Sequence, residues 1–197
     1  MLYPIVDRDT DTPPFHVADK LMTDPLIAQV NALATTRIPL TSKTGQALPN
    51  GEVRKGSIIW IENDPASKWL YETLVALVMP INFQVFGFEI EGIESLQYTI
   101  YDEGGDHYGW HMDGVTGAAL GKGGKSRKLS LSIQLSAPDS YEGGDLEFMI
   151  GSTKPSFAPR QKGAVILFPS FVLHRVLPVT RGRRVSLVAW FQGPRYR

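Results

Sequence analysis

Four side chains stand out for the chemistry they could do together: His111, Asp113, His174 and Arg184. His111 and Asp113 are two residues apart. On a strand, residues i and i+2 face the same way, so an imidazole and a carboxylate would converge on one point, as adjacent metal ligands must. With 11 Asp and four His in 197 residues, about 0.2 His-x-Asp pairs arise by chance, and alone the pair reads as a surface feature. His174 sits in the apolar run Phe171-Val172-Leu173-His174-Arg175-Val176-Leu177, where a lone histidine is often a hydrogen-bonded core residue. Taken together, two imidazoles and one carboxylate can occupy one face of an octahedron and leave the opposite positions open. That donor set suits non-haem Fe(II). Imidazole must be neutral to ligate, so metal binding is expected to weaken as pH falls through about 6.5.

Arg184 follows His174 by ten residues, across the turn Pro178-Val179-Thr180-Arg181-Gly182. Two antiparallel strands joined there would bring Arg184 beside the metal. Alternation puts Arg184, Ser186, Val188 and Trp190 on one face and Val185, Leu187, Ala189 and Phe191 on the other. A guanidinium among strand hydrophobes needs an anionic partner. Its planar fork suits a carboxylate. That partner is either a free dicarboxylate, chelating the metal with its other end, or an internal acid such as Asp145 or Glu147.

The elements that must position these residues are legible from pattern. Asp24-Pro25 reads as an N-cap and first helical residue, followed by Leu26, Val30 and Leu33 at helical spacing. Asp64-Pro65 repeats the signal ahead of Leu70, Leu74, Leu77 and Val78, with Pro80 as the stop. The polar stretch 41–56 between them reads as a loop. Strands are expected at Phe83–Phe88, Leu96–Tyr101, Trp110–Asp113, Lys128–Ser136, Asp145–Ile150, Ala164–Phe168, Val172–Leu177 and Arg184–Phe191. Many short strands after two helices predict a sandwich, jelly roll or barrel, braced by helices on one outer face. Residues 1–197 are read as a single domain. Residues 1–82 would form a helical support and residues 83–193 the core.

Around these residues the sequence resembles the prolyl 4-hydroxylase-like, Fe(II)- and 2-oxoglutarate-dependent dioxygenases. The resemblance is carried by Tyr98-Thr99-Ile100-Tyr101, Gly104-Gly105, Tyr108, Trp110, His111 and Asp113. It continues through Tyr141-Glu142-Gly143-Gly144-Asp145-Leu146, Gly163 to Pro169, His174 and Arg184-Val185-Ser186. It covers roughly residues 83–193. It implies a double-stranded β-helix, or jelly roll, that is mainly β with N-terminal helices. It implies iron on His111, Asp113 and His174, and the far carboxylate of 2-oxoglutarate on Arg184, joined by Tyr101 and Ser186. It further implies O₂ as cosubstrate, ascorbate as an auxiliary, and a prolyl residue of a peptide or protein as substrate. Tyr108 and Trp190 are candidate substrate contacts, although strict alternation would aim Tyr108 away from the metal unless Gly109 breaks it.

Rival readings remain open at this point. A free amino acid substrate would need a second buried cation or acid, and none is evident; Arg175 and Arg181 read as outside. A jelly-roll binding module would have no need of Arg184. A halogenase would lack Asp113, and a nucleobase demethylase would carry a second arginine where Trp190 stands. Gly117 to Ser126 misses a phosphate-binding loop because Ala119 replaces a required glycine; Gly114–Ser126 is expected to form a lid instead. The acids Asp102, Glu103, Asp106, Glu142 and Asp145 read as turn residues. Lys122, Lys125, Arg127 and Lys128 read as a solvated basic face.

Lys+Arg and Asp+Glu are both 20, so no global basicity points to a nucleic-acid partner. No apolar run approaches the roughly 20 residues of a membrane span, and no membrane association is expected. There is no cysteine, which excludes thiolate sites and is in keeping with a reducing, cytoplasmic setting. The first twelve residues lack the pattern of a secretory signal.

Overall fold

A computed structural model of the chain describes residues 14–19, 21–41, 53–114, 125–149 and 154–195. It is mainly β, a jelly roll of two antiparallel sheets with two helices on one outer face. The larger sheet runs β1 (His16–Ala18), β12 (Val165–Pro169), β8 (Ser126–Gln134), β14 (Val179–Gly193), β6 (Leu96–Asp102), β4 (Ser57–Ile61) and β2 (Leu40–Thr41). Two short strands, β5 (Gly92–Ile93) and β9 (Tyr141–Gly143), also pair with β14. The smaller sheet runs β11 (Ser156–Phe157), β10 (Leu146–Met149), β13 (Leu173–Val176), β7 (His107–His111) and β3 (Arg54–Lys55).

Alternation along the larger sheet divides two environments. The outward residues Leu96 and Tyr98, Leu129, Leu131 and Ile133, and Leu187, Ala189 and Phe191 join one core cluster. Helices α1 (Asp24–Thr35) and α2 (Lys68–Ile81) complete it with Ile27, Val30, Leu70, Leu74 and Val78. Each such aliphatic side chain, fully buried, contributes roughly 1.5–3 kcal/mol. The opposite faces of β6, β8 and β14 carry Gln97, Thr99, Ser130, Ser132, Gln134, Arg184 and Ser186, all buried and all polar. Between the sheets a smaller apolar cluster, including Leu146, Phe148, Ile166, Phe168 and Val172, closes the other end.

Several local expectations are corrected. Helix α1 begins one residue early, with Thr23 as N-cap and Asp24 already helical. Asp64 does not cap α2. Its carboxylate accepts from the Ala66 and Ser67 amides, and Ser67 takes the cap position. Pro80 lies inside α2, which runs on into a π-helical turn, Asn82–Phe86, where a strand over Phe83–Phe88 was expected. The Asn82 amide explains it: it donates to the Phe88 carbonyl and accepts from the Phe88 N–H, so the chain folds back on itself instead of extending. Residues 68–86 together are long and apolar enough to cross a membrane by length and composition alone. In this fold Leu70, Tyr71, Leu74 and Val78 pack that helix into the core. Residues 1–82 supply strands as well as helices: β1, β2 and β4 extend the larger sheet and β3 the smaller. The expected lid over Gly114–Ser126 falls largely on residues 115–124, outside the described residues.

Gly143 ends β9 at φ 71°, where an added Cβ would run into the Pro178 carbonyl oxygen. Gly87 has a similar φ of 67° but open space around it. Gly87→Ala should therefore cost only the left-handed strain of about 1–2 kcal/mol. Gly143→Ala should cost distinctly more, because the β9–β14 contact must also shift. Thermal unfolding of the two variants side by side checks the ranking.

Candidate active site

Strand pairing in the smaller sheet sets His111 of β7 directly opposite His174 of β13. Their ring centroids are 4.1 Å apart. Each Nδ1 lies 2.8 Å from a backbone carbonyl two residues earlier, that of Gly109 for His111 and that of Val172 for His174. A carbonyl can only accept, so each Nδ1 carries the proton and each Nε2 is left with a free lone pair. Both Nε2 atoms sit 3.6 Å from an oxygen of the same carboxylate, Asp113. One ligand atom from each of the three residues lies within 4.8 Å of the others. The donor set and its spacing fit a divalent metal ion.

Asp113 is anchored by residues that pattern reading did not single out. Its N–H donates to the Ser170 carbonyl at 2.9 Å. The Ser130 hydroxyl donates to Oδ2 at 2.7 Å, and Ser170 Oγ touches Ser130 Oγ at 2.9 Å. The Trp190 indole N–H leans toward the carboxylate without closing a hydrogen bond of good geometry. Burial pushes the Asp113 carboxyl up, but the two imidazoles and the Ser130 hydroxyl outweigh it and hold it below the usual range. His111 moves down to about 4, because burial and the charge of His174 disfavour its cation. The lowering favours, at His111, the neutral form that a metal requires.

These groups open into a cavity of about 550 Å³. Arg184, Ser186, Val188 and Trp190 all line it, as the alternation along β14 requires. Arg184 is 1% exposed. Its Nη2 donates to Gln134 Oε1 at 3.0 Å, and its Nε has no partner among the described residues. The internal acids weighed for it are taken: Asp145 pairs with Arg160 and Glu147 with Arg175. A buried guanidinium with a neutral neighbour and an idle donor fits an incoming carboxylate. Tyr101, directly opposite Arg184 in the β6–β14 register, is buried and lines the same wall.

Tyr108 does face the site. The β7–β13 pairing matches His111 to His174 but Tyr108 to Val176, so three residues on β7 span two on β13. That bulge turns Tyr108 onto the face of His111, and the two rings stack at 3.5 Å. Two further corrections concern charge. Arg127, read as part of a solvated face, instead donates to both oxygens of Glu94 and lies 3.9 Å over the Trp190 ring, lining the cavity. Arg54, read as loop, is 6% exposed and lines the cavity too. It is a second buried cation facing the cavity, which the sequence did not reveal; Lys128, read as solvated, is buried as well but does not line the cavity. The run Ser57-Ile58-Ile59-Trp60-Ile61 was the available signal for strand structure at this point in the chain.

Residues 96–192 match the family model described as the 2OG-Fe(II) oxygenase superfamily. A PKHD-type hydroxylase of Delftia acidovorans is 32% identical over 169 residues, which is 84% of this chain and 62% of that protein. The chain spans less than two thirds of the length of the curated relatives it matches. Among solved structures, a Pseudomonas putida prolyl-4-hydroxylase superposes with a TM-score of 0.71 at 22% identity, covering 94% of this chain and 95% of that one. A Trichoplax adhaerens prolyl hydroxylase, in complex with a hypoxia inducible factor peptide fragment, gives 0.72 at 19%, covering 91% and 84%. Those two likenesses establish the jelly-roll fold, and the family match adds the lineage: the region that holds the site, residues 96–192, belongs to the 2OG-Fe(II) oxygenase superfamily.

Proposed function

We propose that the chain is an Fe(II)- and 2-oxoglutarate-dependent dioxygenase that hydroxylates prolyl residues of a peptide or protein. The observation that carries this reading is the convergence of His111, Asp113 and His174 beside the idle guanidinium of Arg184 in one cavity. The prolyl substrate is supported by relatives named as PKHD-type and prolyl hydroxylases, one of them holding a peptide.

In this reading His111 and His174 offer Nε2 and Asp113 an oxygen to the iron. Gly109, Val172 and Ser130 hold those ligands in orientation. Arg184 receives the far carboxylate of 2-oxoglutarate, with Gln134 fixing its fork, and the Tyr101 and Ser186 hydroxyls stand on the same wall. Phe168, Leu146, Val176 and Val188 make the surroundings apolar, which keeps water from the reacting centre. Iron with 2-oxoglutarate and O₂ supplies the chemistry: the cosubstrate leaves as succinate and CO₂, and one oxygen atom enters a C–H bond of the substrate.

Three variants test the assignment. His174→Ala should abolish 2-oxoglutarate turnover and stoichiometric metal uptake while the protein still unfolds cooperatively. Ser130→Ala should keep the ligands but weaken metal affinity about 10–100-fold, the usual consequence of losing an outer partner; metal titration on both variants separates the two effects. Arg184→Met should raise the KM for 2-oxoglutarate about 100-fold, as removal of one member of a buried charge pair does. Its metal affinity should match the unaltered protein. Equal KM values would remove Arg184 from the cosubstrate site.

A further inference from the structure

Arg54 lies opposite Tyr108 in the β3–β7 pairing. Its guanidinium carbon stands 4.6 Å over the Tyr108 ring, and that ring stacks on His111. The charge is thus two stacking layers from a metal ligand. The Tyr101 hydroxyl lies on the same cavity wall and feels the Arg54 charge. Nε and Nη2 are buried with no hydrogen-bond partner among the described residues. Among the described residues lining the cavity the only carboxylate is Asp113, already committed to Ser130 and the two imidazoles. Arg127, the third lining arginine, is neutralised by Glu94. Arg54 therefore holds a permanent charge at a buried position with two donors unpartnered among the described residues. Such an arrangement is costly unless an anion arrives.

We propose that Arg54 binds a carboxylate of the substrate, so that the molecule hydroxylated carries an acid group close to the carbon attacked. The inference rests on the hydroxylase reading above and adds a specificity to it. Arg184 and Arg54 then divide the two anions: Arg184 takes the cosubstrate, and Arg54 takes the substrate. At about 550 Å³ the cavity is in the range that accommodates a drug-sized ligand, which leaves room beyond a five-carbon cosubstrate. The carboxylate has two possible sources. It is either an aspartyl or glutamyl side chain beside the prolyl residue, or the carboxylate of a free or C-terminal proline.

The test uses the whole chain and pairs of probes that differ only in acid against amide. Capped Xaa-Pro-Yaa tripeptides carry Asp or Asn at one flank, and L-proline is compared with L-prolinamide. Binding is read by quenching of tryptophan fluorescence, since Trp60 and Trp190 line the cavity; this needs no iron chemistry. The expected result is that one acid probe binds at least about tenfold more tightly than its amide. Arg54→Met should erase the difference and Arg54→Lys should restore part of it, with the KM for 2-oxoglutarate unchanged. Preference for an Asp peptide assigns the side chain as the source, and preference for L-proline assigns the terminal carboxylate. Equal binding of every acid and amide pair overturns the proposal, and so does a preference that survives Arg54→Met. A raised KM for 2-oxoglutarate without loss of preference would move Arg54 to the cosubstrate. The acid-against-amide comparison on the unaltered chain stands even if the variants fail to fold. An acid preference without any +16 Da product would instead count against the hydroxylase reading alone.

Discussion

The site depends on one constraint: two imidazoles and a carboxylate must bring ligand atoms within 4.8 Å of one another, away from water, without neutralising one another by proton transfer. Burial alone would favour a protonated Asp113, and a charged neighbour would favour a charged histidine. The fold resolves this with fixed partners. Backbone carbonyls hold both Nδ1 protons, and Ser130 donates to the carboxylate. Three electron pairs are thereby aimed at one point. The partners come from both sheets, with the histidines on the smaller and Ser130 on the larger. Closing the jelly roll is what assembles them.

The same closure explains the polar inner face of the larger sheet. Gln97, Thr99, Ser132, Gln134 and Ser186 would be poor choices for an ordinary sandwich core, where buried polar groups need partners. Here Gln97, Thr99, Ser132 and Ser186 line a cavity that must receive charged molecules, and Gln134 stands behind it as the partner of Arg184. The helices pack on the other face, where the alternating residues are uniformly apolar. Stability and binding are thus assigned to opposite sides of the same three strands, β6, β8 and β14.

Much of this was legible in the residues themselves. The isolated His174 and the alternation that sends Arg184 and Trp190 to one face are properties of strands, and strands have an unambiguous period. The His-x-Asp pair points to one place for another reason: β7 ends at His111, and Asp113 follows in a bend held by Ser170 and Ser130 rather than on the expected strand Trp110–Asp113. What escaped reading was set by tertiary contact. Arg54 belongs to a two-residue strand, too short to have a period, and its burial comes from Tyr108 and Tyr101 rather than from its neighbours in sequence. Arg127 looked like surface because it stands in a basic run; Glu94, far away in the chain, draws it inward. The stretch after Pro80 carries aromatic and branched residues that favour extension, yet one amide side chain, Asn82, bends it into a π turn. Tyr108 was half legible. Gly109 marked the irregularity, but the stack on His111 needed the bulge against β13 to be seen.

Strand β14 runs unbroken for fifteen residues, paired on both sides over Ser186–Val188 by β6 and β8. Along it the lining residues Arg184, Ser186, Val188 and Trp190 interleave with the core residues Leu187, Ala189 and Phe191. A strand of this kind tolerates change of side chain far better than change of length. Losing one residue between Arg184 and Trp190 would exchange the two sets over one flank, presenting leucine and phenylalanine to the cavity and forcing a guanidinium or an indole against the helices. In a lineage of such chains, insertions and deletions should therefore gather in the connections and stay out of β14, even where its individual residues have drifted.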